Sequence, residues 1–456
     1  TLDRELQSFA LDALRGQLES IAARRVRDGA VLVVDNASGE VLAYVGNSGE
    51  GASARFVDGV QAPRQAGSTL KPFLYQMAIE RRLLTAASLL DDSPVDLIAP
   101  NGVYVPNNYD RQFSGWVSLR VALAASLNVP AVRTLMVVGA DPFADRLRAL
   151  GFADVAQGGD FYGYSLALGS AEVRLWQLVN AFRTLANRGL ASPLTLVARR
   201  RPEPERVMSE ASAFIVTDML ADRSAAARTF GLASALSTRG WSAVKTGTSK
   251  DMRDNWCIGF STRYTVGVWV GNFDGAPMHD VSGVTGAAPV WQEVMNRLHR
   301  DTPSQPPAPP GGLVQTAGRD AFGTLHDEWF VAGTEMERVE HAGRRHTPRI
   351  VYPGSGLVIA LDPDIPAAQQ RLLLSAASAA HGFVWQLDGL LLGSAAQPLP
   401  WRPVAGSHRL RLLDARGRSV DEVAFEVRGS EGAAEGLGQG ARERRAILQR
   451  VVSSRR

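Results

Sequence analysis

The chain has 456 residues, a net charge of +3, 45% hydrophobic and 21% charged residues. These proportions exclude a wholly disordered chain, and the length accommodates two or three domains. The small positive charge weakly favours anionic partners without naming one, and Cys257, the single cysteine, excludes an intrachain disulfide.

The opening stretch "TLDRELQSFALDALRGQLESIAARRVRDG" predicts an amphipathic helix, with Leu2, Leu6, Phe9, Ala13, Leu18 and Ile21 near helical spacing. No apolar run approaches the ~18 residues of a membrane span, and no signal-peptide pattern stands at the start. "GAVLVVDNASGEVLAYVG" then reads as a hairpin, two β-rich runs around an Asn/Ser/Gly turn. From Ser68 to Gly189 the pattern is mainly helical. "GSAEVRLWQLVNAFRTLANRG" is a clear case, with Ser170 as the expected cap and Gly189 as the stop. Strands return at Asn255–Ser261 and Tyr264–Asn272. Strands, then helices, then strands predict an α/β (α+β) domain closed by distant segments.

"DTPSQPPAPPGG" (Asp301–Gly312) reads as a Pro-rich linker. Short strands with frequent turn signals predict a small all-β sandwich from about Arg349 to Gly429. The expected divisions are 1–300, with 1–28 as its opening helix; 301–348 as linker and connecting segment; 349–429 as the β module; and 430–456 as a flexible basic tail. His341 and His346 sit in the polar stretch "VEHAGRRHTP" and read as loop residues, so no metal site is expected.

Of 49 Lys and Arg residues only Lys71, Lys245 and Lys250 are lysines. Lys71 lies in "QAGSTLKPFLY", three residues after Ser68. Pro72 suits the first turn of a helix, which places Ser68 at or just before a helix start. The i, i+3 spacing then brings Lys71 alongside the Ser68 hydroxyl. A serine becomes a nucleophile when a base takes its proton. Arginine stays protonated, whereas a lysine with a lowered pKa serves. Taken alone, Ser-x-x-Lys is satisfied equally well by a solvated serine and lysine. Two further elements follow in order: Ser126-Leu127-Asn128, and Lys245-Thr246-Gly247-Thr248 at a strand edge. Ser-x-x-Lys, Ser-x-Asn and Lys-Thr-Gly together mark the acylated-serine penicillin-interacting enzymes.

At this point the chain resembles the transpeptidase region of class A penicillin-binding proteins. The likeness runs through "TLDRELQ", "VVDNASGEVLAYVG", "RQAGSTLKPFLY", "YVPNNYDRQFSGWVSLRVALAASLNVPAV", "GYSLALGSAEV" and "KTGTSKDMRDNWCIGFS", roughly Thr1 to Arg300. "DEWFVAGTE" and the β module resemble the penicillin-binding protein 1C subfamily. The resemblance implies a serine transpeptidase/β-lactamase-like fold, with an antiparallel central sheet between helical layers. It implies a D,D-transpeptidase without cofactor or metal, acting on the D-Ala-D-Ala end of peptidoglycan stem peptides and acylated by β-lactams. Ser68 would be the nucleophile, Lys71 its base, Ser126 and Lys245 a proton relay to the leaving group, and Asn128 a holder of Lys71 and substrate. Backbone N–H groups of Ser68 and Thr248 would form the oxyanion hole, while Thr246, Gly247 and Thr248 bind substrate. It further implies a periplasmic location in a longer, membrane-anchored protein whose glycosyltransferase domain precedes this region. For the β module a cell-wall synthesis protein, a glycan and a purely structural role all stay open, and no nucleic acid is expected. Rival readings are a D,D-carboxypeptidase, a serine β-lactamase, and a β-lactam sensor or peptidoglycan-binding scaffold. No E-x-x-L-N stands between Asn128 and Lys245, as a class A β-lactamase would need. Tyr109 is read as a packing aromatic near the groove, Lys250 and Arg253 as cleft-rim cations or solvated residues, and Cys257 as packed.

Overall fold

A computed structural model describes residues 1–428 except 96, 100–101, 109–111, 198–202, 226–234, 320–324, 337–347, 362–369, 378–381 and 398. Tyr109, His341, His346 and the tail 430–456 therefore lie outside the described residues. The chain divides into two compact units, Thr1–Ala342 and Gly343–Arg456.

The first unit is built on α1 (Arg4–Ser20), β1 (Asp28–Asp35), β2 (Val41–Val45), α2 (Lys71–Glu80), α3 (Leu119–Ala124) and α4 (Asn128–Val138). These are followed by α5 (Leu175–Ala186), α6 (Glu210–Ala221), β3 (Ala243–Thr248), β4 (Asp254–Phe260), β5 (Tyr264–Gly271) and α7 (Ala288–Leu298). The sheet order is β3-β4-β5-β1-β2, every pair antiparallel. The two hairpins meet along β1 and β5, where Asp28 faces Gly271 and Asp35 faces Tyr264. Nearly 200 residues, 46–242, thereby lie between the two hairpins, the closure by distant segments that the sequence predicts.

The sheet lies between two helical layers. On one face Leu6, Ala10, Leu14 and Leu18 of α1 pack with Val290, Trp291 and Val294 of α7 against Val31, Val33, Val266 and Val268. The buried stripe thus runs at a strict four-residue spacing. Leu2 stays 53% exposed, and Ala13 is only half-buried. Asp3 caps α1 by accepting from the Leu6 N–H. The other face carries the larger core, in which Phe73 of α2 meets Phe152 and Phe182 edge-on. Strands buried on both faces explain the continuous apolar runs of β4 and β5.

Two local expectations change. Ser170 does not cap α5; its hydroxyl accepts from Ser165 instead. Glu172–Val173 pair with Arg64–Gln65 as short strands, so the helix begins only at Leu175, and Gln177 reaches back to the Arg174 N–H. Within the stretch read as linker and connecting segment lies a hairpin, β6 (Leu313–Arg319) and β7 (Leu325–Val331). It docks through a buried charge cluster. Arg120 of α3 donates to both carboxylate oxygens of Glu328, at 2.8 and 2.5 Å, and to Asp218 of α6 at 2.6 Å. Trp329 packs edge-on against Phe214.

The second unit is a sandwich of two sheets. Arg349–Tyr352, Leu372–Ala377 and Leu399–Trp401 form one; the other orders Val358–Ala360, Ser419–Arg428, Gly406–Leu413, Val384–Leu387 and Leu390–Ser394. Ile350, Leu372 and Leu374 of the first meet Trp385, Leu410 and Phe425 of the second in one core.

Arg120 sits six residues before Ser126, so the charge cluster anchors the helix that leads into the cleft. Replacing it with Met leaves buried carboxylates without their cation. Arg120→Met is expected to cost about 3–5 kcal/mol, a fall in Tm of roughly 5–10 °C for a unit this size. Thermal denaturation of the two proteins checks this, and an unchanged Tm contradicts it.

Candidate active site

Ser68 lies in a single 3-10 turn, Gly67–Leu70, that runs directly into α2. Pro72 occupies the first turn of α2, as its missing N–H allows. The turn is pressed between two other backbones. A Cβ on Gly67 would come within 2.8 Å of the Thr248 carbonyl oxygen, and one on Gly169 within 1.9 Å of the Gly67 oxygen. Both glycines have positive φ, +56° and +74°. The Gly67 N–H donates to the Gly169 carbonyl at 3.1 Å. Gly247 faces the same turn, where a Cβ would come within 2.8 Å of the Thr69 side chain and 2.9 Å of the Ala66 carbonyl oxygen. The end of β3 and the start of α2 are in this way held backbone to backbone.

A cleft of about 980 Å³ opens above this contact. Ser68, Ser126, Asn128, Thr246, Gly247 and Thr248 all line it. Lys71 and Lys245 lie beneath its floor, 0% and 3% exposed. The structure thus brings every site residue expected from the sequence to one place. Lys250 also lines the cleft, whereas Arg253 donates to the Gly275 carbonyl at 2.7 Å.

The Lys71 amine does not hydrogen-bond to Ser68 here. It donates to the Ser126 carbonyl at 2.7 Å, the Leu127 carbonyl at 3.0 Å and Asn128 Oδ1 at 2.7 Å. The first two acceptors come from the turn between α3 and α4, where Ser126 adopts φ +60°. That left-handed conformation costs a non-glycine residue about 1 kcal/mol. In return the Ser126 hydroxyl accepts from Lys245 Nζ at 2.7 Å while its carbonyl accepts from Lys71. Ser126 therefore bridges the two amines. Lys245 also donates to the Thr246 carbonyl at 2.7 Å.

Burial holds the Lys71 amine well below its ordinary value, and the neighbouring Lys245 charge pushes the same way; Asp92 pulls against them. Burial also lowers Lys245 to about 7. Cys257, opposite Thr246 on β4, is fully buried, and burial pushes its thiol up, so it is a packed residue as expected. The Thr248 hydroxyl accepts from the Gly283 N–H at 3.0 Å, fixing the loop that closes the far side of the cleft.

Sequence reasoning missed Asn107, Asn108 and Asp92. Asn128 Nδ2 donates to the Asn107 carbonyl at 2.7 Å, and its backbone N–H to Asn108 Oδ1 at 2.8 Å. Asn108 Nδ2 in turn donates to both oxygens of the buried Asp92, at 2.8 and 2.9 Å. The signal was in "PNNYD", where two adjacent amides precede the aromatic that drew attention. Gly169 and Gly283 were equally silent.

Residues 29–296 match the family model described as the penicillin binding protein transpeptidase domain, and residues 338–425 match the Penicillin-Binding Protein C-terminus Family. The chain is 36% identical to penicillin-binding protein 1C of Escherichia coli over 59% of this chain and 34% of that protein. It is 30% identical to penicillin-binding protein 1A of Neisseria lactamica over 70% of this chain and 44% of that protein. The chain thus spans well under half the length of these relatives. Among solved structures, penicillin-binding protein 1A of Haemophilus influenzae superimposes with a TM-score of 0.61 at 23% identity, covering 68% of this chain and 54% of that one. PonA1 of Mycobacterium tuberculosis, in complex with penicillin V, gives 0.58 at 23% identity over 68% and 87%. At such identities these structures bear on the fold alone. With a family match running over more than half its length, the chain belongs to the penicillin-binding protein transpeptidase family.

Proposed function

We propose that this chain is a peptidoglycan D,D-transpeptidase working through a Ser68 acyl-enzyme. The observation that carries the reading is the pair of buried amines joined by Ser126 beneath a cleft that exposes Ser68. Ser68 Oγ attacks the carbonyl carbon between the two terminal D-alanines of a stem peptide, and Lys71 takes the hydroxyl proton. The acceptors around Lys71 are those an ammonium needs, so the charge formed by proton transfer meets ready partners. The Ser68 and Thr248 N–H groups stabilise the oxyanion, each donor contributing about 3–4 kcal/mol. The C–N bond breaks, and Ser126 with Lys245 delivers a proton to the departing D-Ala nitrogen. An amine from a second stem peptide then attacks the ester. The new amide forms, Ser68 leaves and regains its proton. Thr246 and Thr248 bind the terminal carboxylate. Asn128 holds Lys71 and hydrogen-bonds the peptide.

Among the described residues lining the cleft the sole carboxylate is Asp251, on the exposed turn after Thr248, 3.9 Å from Arg253. A class A β-lactamase activates its water with a glutamate, and no described glutamate lines the cleft, which weighs against that reading. No described helix is long and apolar enough to cross a membrane. The periplasm is the proposed site of action, because that is where stem peptides are crosslinked.

Incubated with glycan strands bearing stem peptides, the protein should yield crosslinked dimers; free D-Ala without dimers would make it a carboxypeptidase. A fluorescent penicillin should add one adduct to the intact mass, lost in Ser68→Ala. Lys71→Arg keeps the charge and removes the proton acceptor. It is expected to slow acylation about 10²- to 10⁴-fold, read from the rate of adduct formation. The pH dependence follows from the lowered amines. Lys71 acts as base when neutral and Lys245 as proton donor when charged, so acylation should rise with pH as Lys71 loses its proton and fall above about 7, where Lys245 loses its own. A rate flat between pH 5 and 9 would contradict this.

A further inference from the structure

The amide chain behind Asn128 has a direction, and its buried end sets that direction. An ionised carboxylate only accepts hydrogen bonds, and a backbone carbonyl likewise. Asp92, fully buried on the short strand Leu89–Asp92, accepts from Asn108 Nδ2 at both carboxylate oxygens. That commits the Asn108 NH2 group, which also donates to the Gln112 carbonyl at 2.8 Å. Asn108 Oδ1 is left to accept from the Asn128 N–H. That N–H is one of the first of α4, whose N-terminus has no side-chain cap from its own segment. One residue earlier the Asn107 carbonyl accepts from Asn128 Nδ2, so Asn128 Oδ1 must face Lys71. Two consecutive residues of one loop therefore grip Asn128 by its backbone and by its amide. Flipping either amide would set donor against donor.

We infer that Asp92 and Asn108 are positioning residues of the acylation site, which clamp Asn128 so that its carbonyl oxygen faces the Lys71 amine. The inference rests on the acyl-enzyme reading above. The Ser114 N–H adds a further contact to Asp92 at 2.8 Å, which ties the strand edge next to α3 into the same cluster. The Asp92 charge also acts on Lys71 directly, opposing the effect of burial. Neither residue reaches the cleft, so they touch no substrate.

A merely structural role would lower stability and leave the rate constant of the folded protein unchanged. A positioning role slows the covalent step and leaves non-covalent binding alone. The test uses a fluorescent penicillin with the full chain, its Asn108→Ala, Asp92→Asn and Asn108→Asp variants, and the double exchange Asp92→Asn with Asn108→Asp. Thermal melts identify the folded variants. Saturation kinetics separate the acylation rate constant from the dissociation constant of the initial complex. Misplacement of about 1 Å costs up to ~100-fold in rate. The acylation rate constant is therefore expected to fall about 10- to 100-fold in Asn108→Ala and Asp92→Asn, with the dissociation constant little changed. Asn108→Asp alone sets two carboxylates together, and the double exchange restores one donor facing one carboxylate. It should acylate at least about tenfold faster than Asn108→Asp. Asp92→Asn changes no volume and carries the test if Asn108→Ala does not fold. Wild-type rate constants in the single variants, a loss confined to the dissociation constant, or a double exchange no faster than Asn108→Asp would each overturn the inference while leaving the acyl-enzyme reading intact. A wild-type protein that takes up no penicillin would overturn both.

Discussion

The Lys71 amine is the point on which the site depends. It is buried where α2, the turn between α3 and α4, and β3 converge, and its three donor directions are taken by Ser126, Leu127 and Asn128. Among the described residues no carboxylate is hydrogen-bonded to it. An amine in such a place is costly to charge, because burial and a second amine both favour the neutral form. The same acceptors welcome a proton once it arrives. The balance gives a group that gains a proton in the reaction and holds it nearby. An arginine, which is never neutral, has no such use. In a chain that writes nearly all its cations as arginine, the two buried lysines stand at that one task.

Such a balance requires rigid surroundings, and the fold supplies them by backbone contact. Gly67, Gly169 and Gly247 let three segments touch where any Cβ would intrude. Ser126 accepts a strained φ so that one residue meets both amines. The strand bearing Lys245 is fixed by its register with β4, in which Thr246 faces Cys257 and Thr248 faces Asn255. Farther out, Arg120 ties α3 to α6 and to a hairpin some 200 residues later. The active serine thus rests on contacts between segments distant in sequence.

Much of this was legible beforehand. Ser68 with Lys71, Ser126 with Asn128, and Lys245 to Thr248 are short motifs with fixed spacings, and all reach the same cleft. β-rich ends around a helical middle predict an α/β (α+β) domain closed by distant segments, and the family resemblance implies the antiparallel sheet between helical layers. The illegible parts depend on partners that leave no local pattern. Backbone carbonyls as acceptors for Lys71 have no side-chain signature. Asp92 and Asn108 look like any polar loop residues until the fold buries them together. Ser170 reads as a helix cap locally, but long-range pairing of Glu172 and Val173 with Arg64 and Gln65 delays the helix. The β6–β7 hairpin follows a proline-rich stretch, and only Arg120, far upstream, explains why Glu328 is buried.

The central claim concerns the protonation of two amines, and the sequence makes it directly measurable. The chain has only three lysines, so lysine labelled with carbon-13 at Cε gives three signals, and Lys250→Arg removes the exposed one. Titrating the remaining two by NMR reads each amine separately. The account predicts that both deprotonate far below the ordinary lysine value of about 10.4, with Lys245 at about 7. Two amines that keep their protons up to that ordinary value would contradict it.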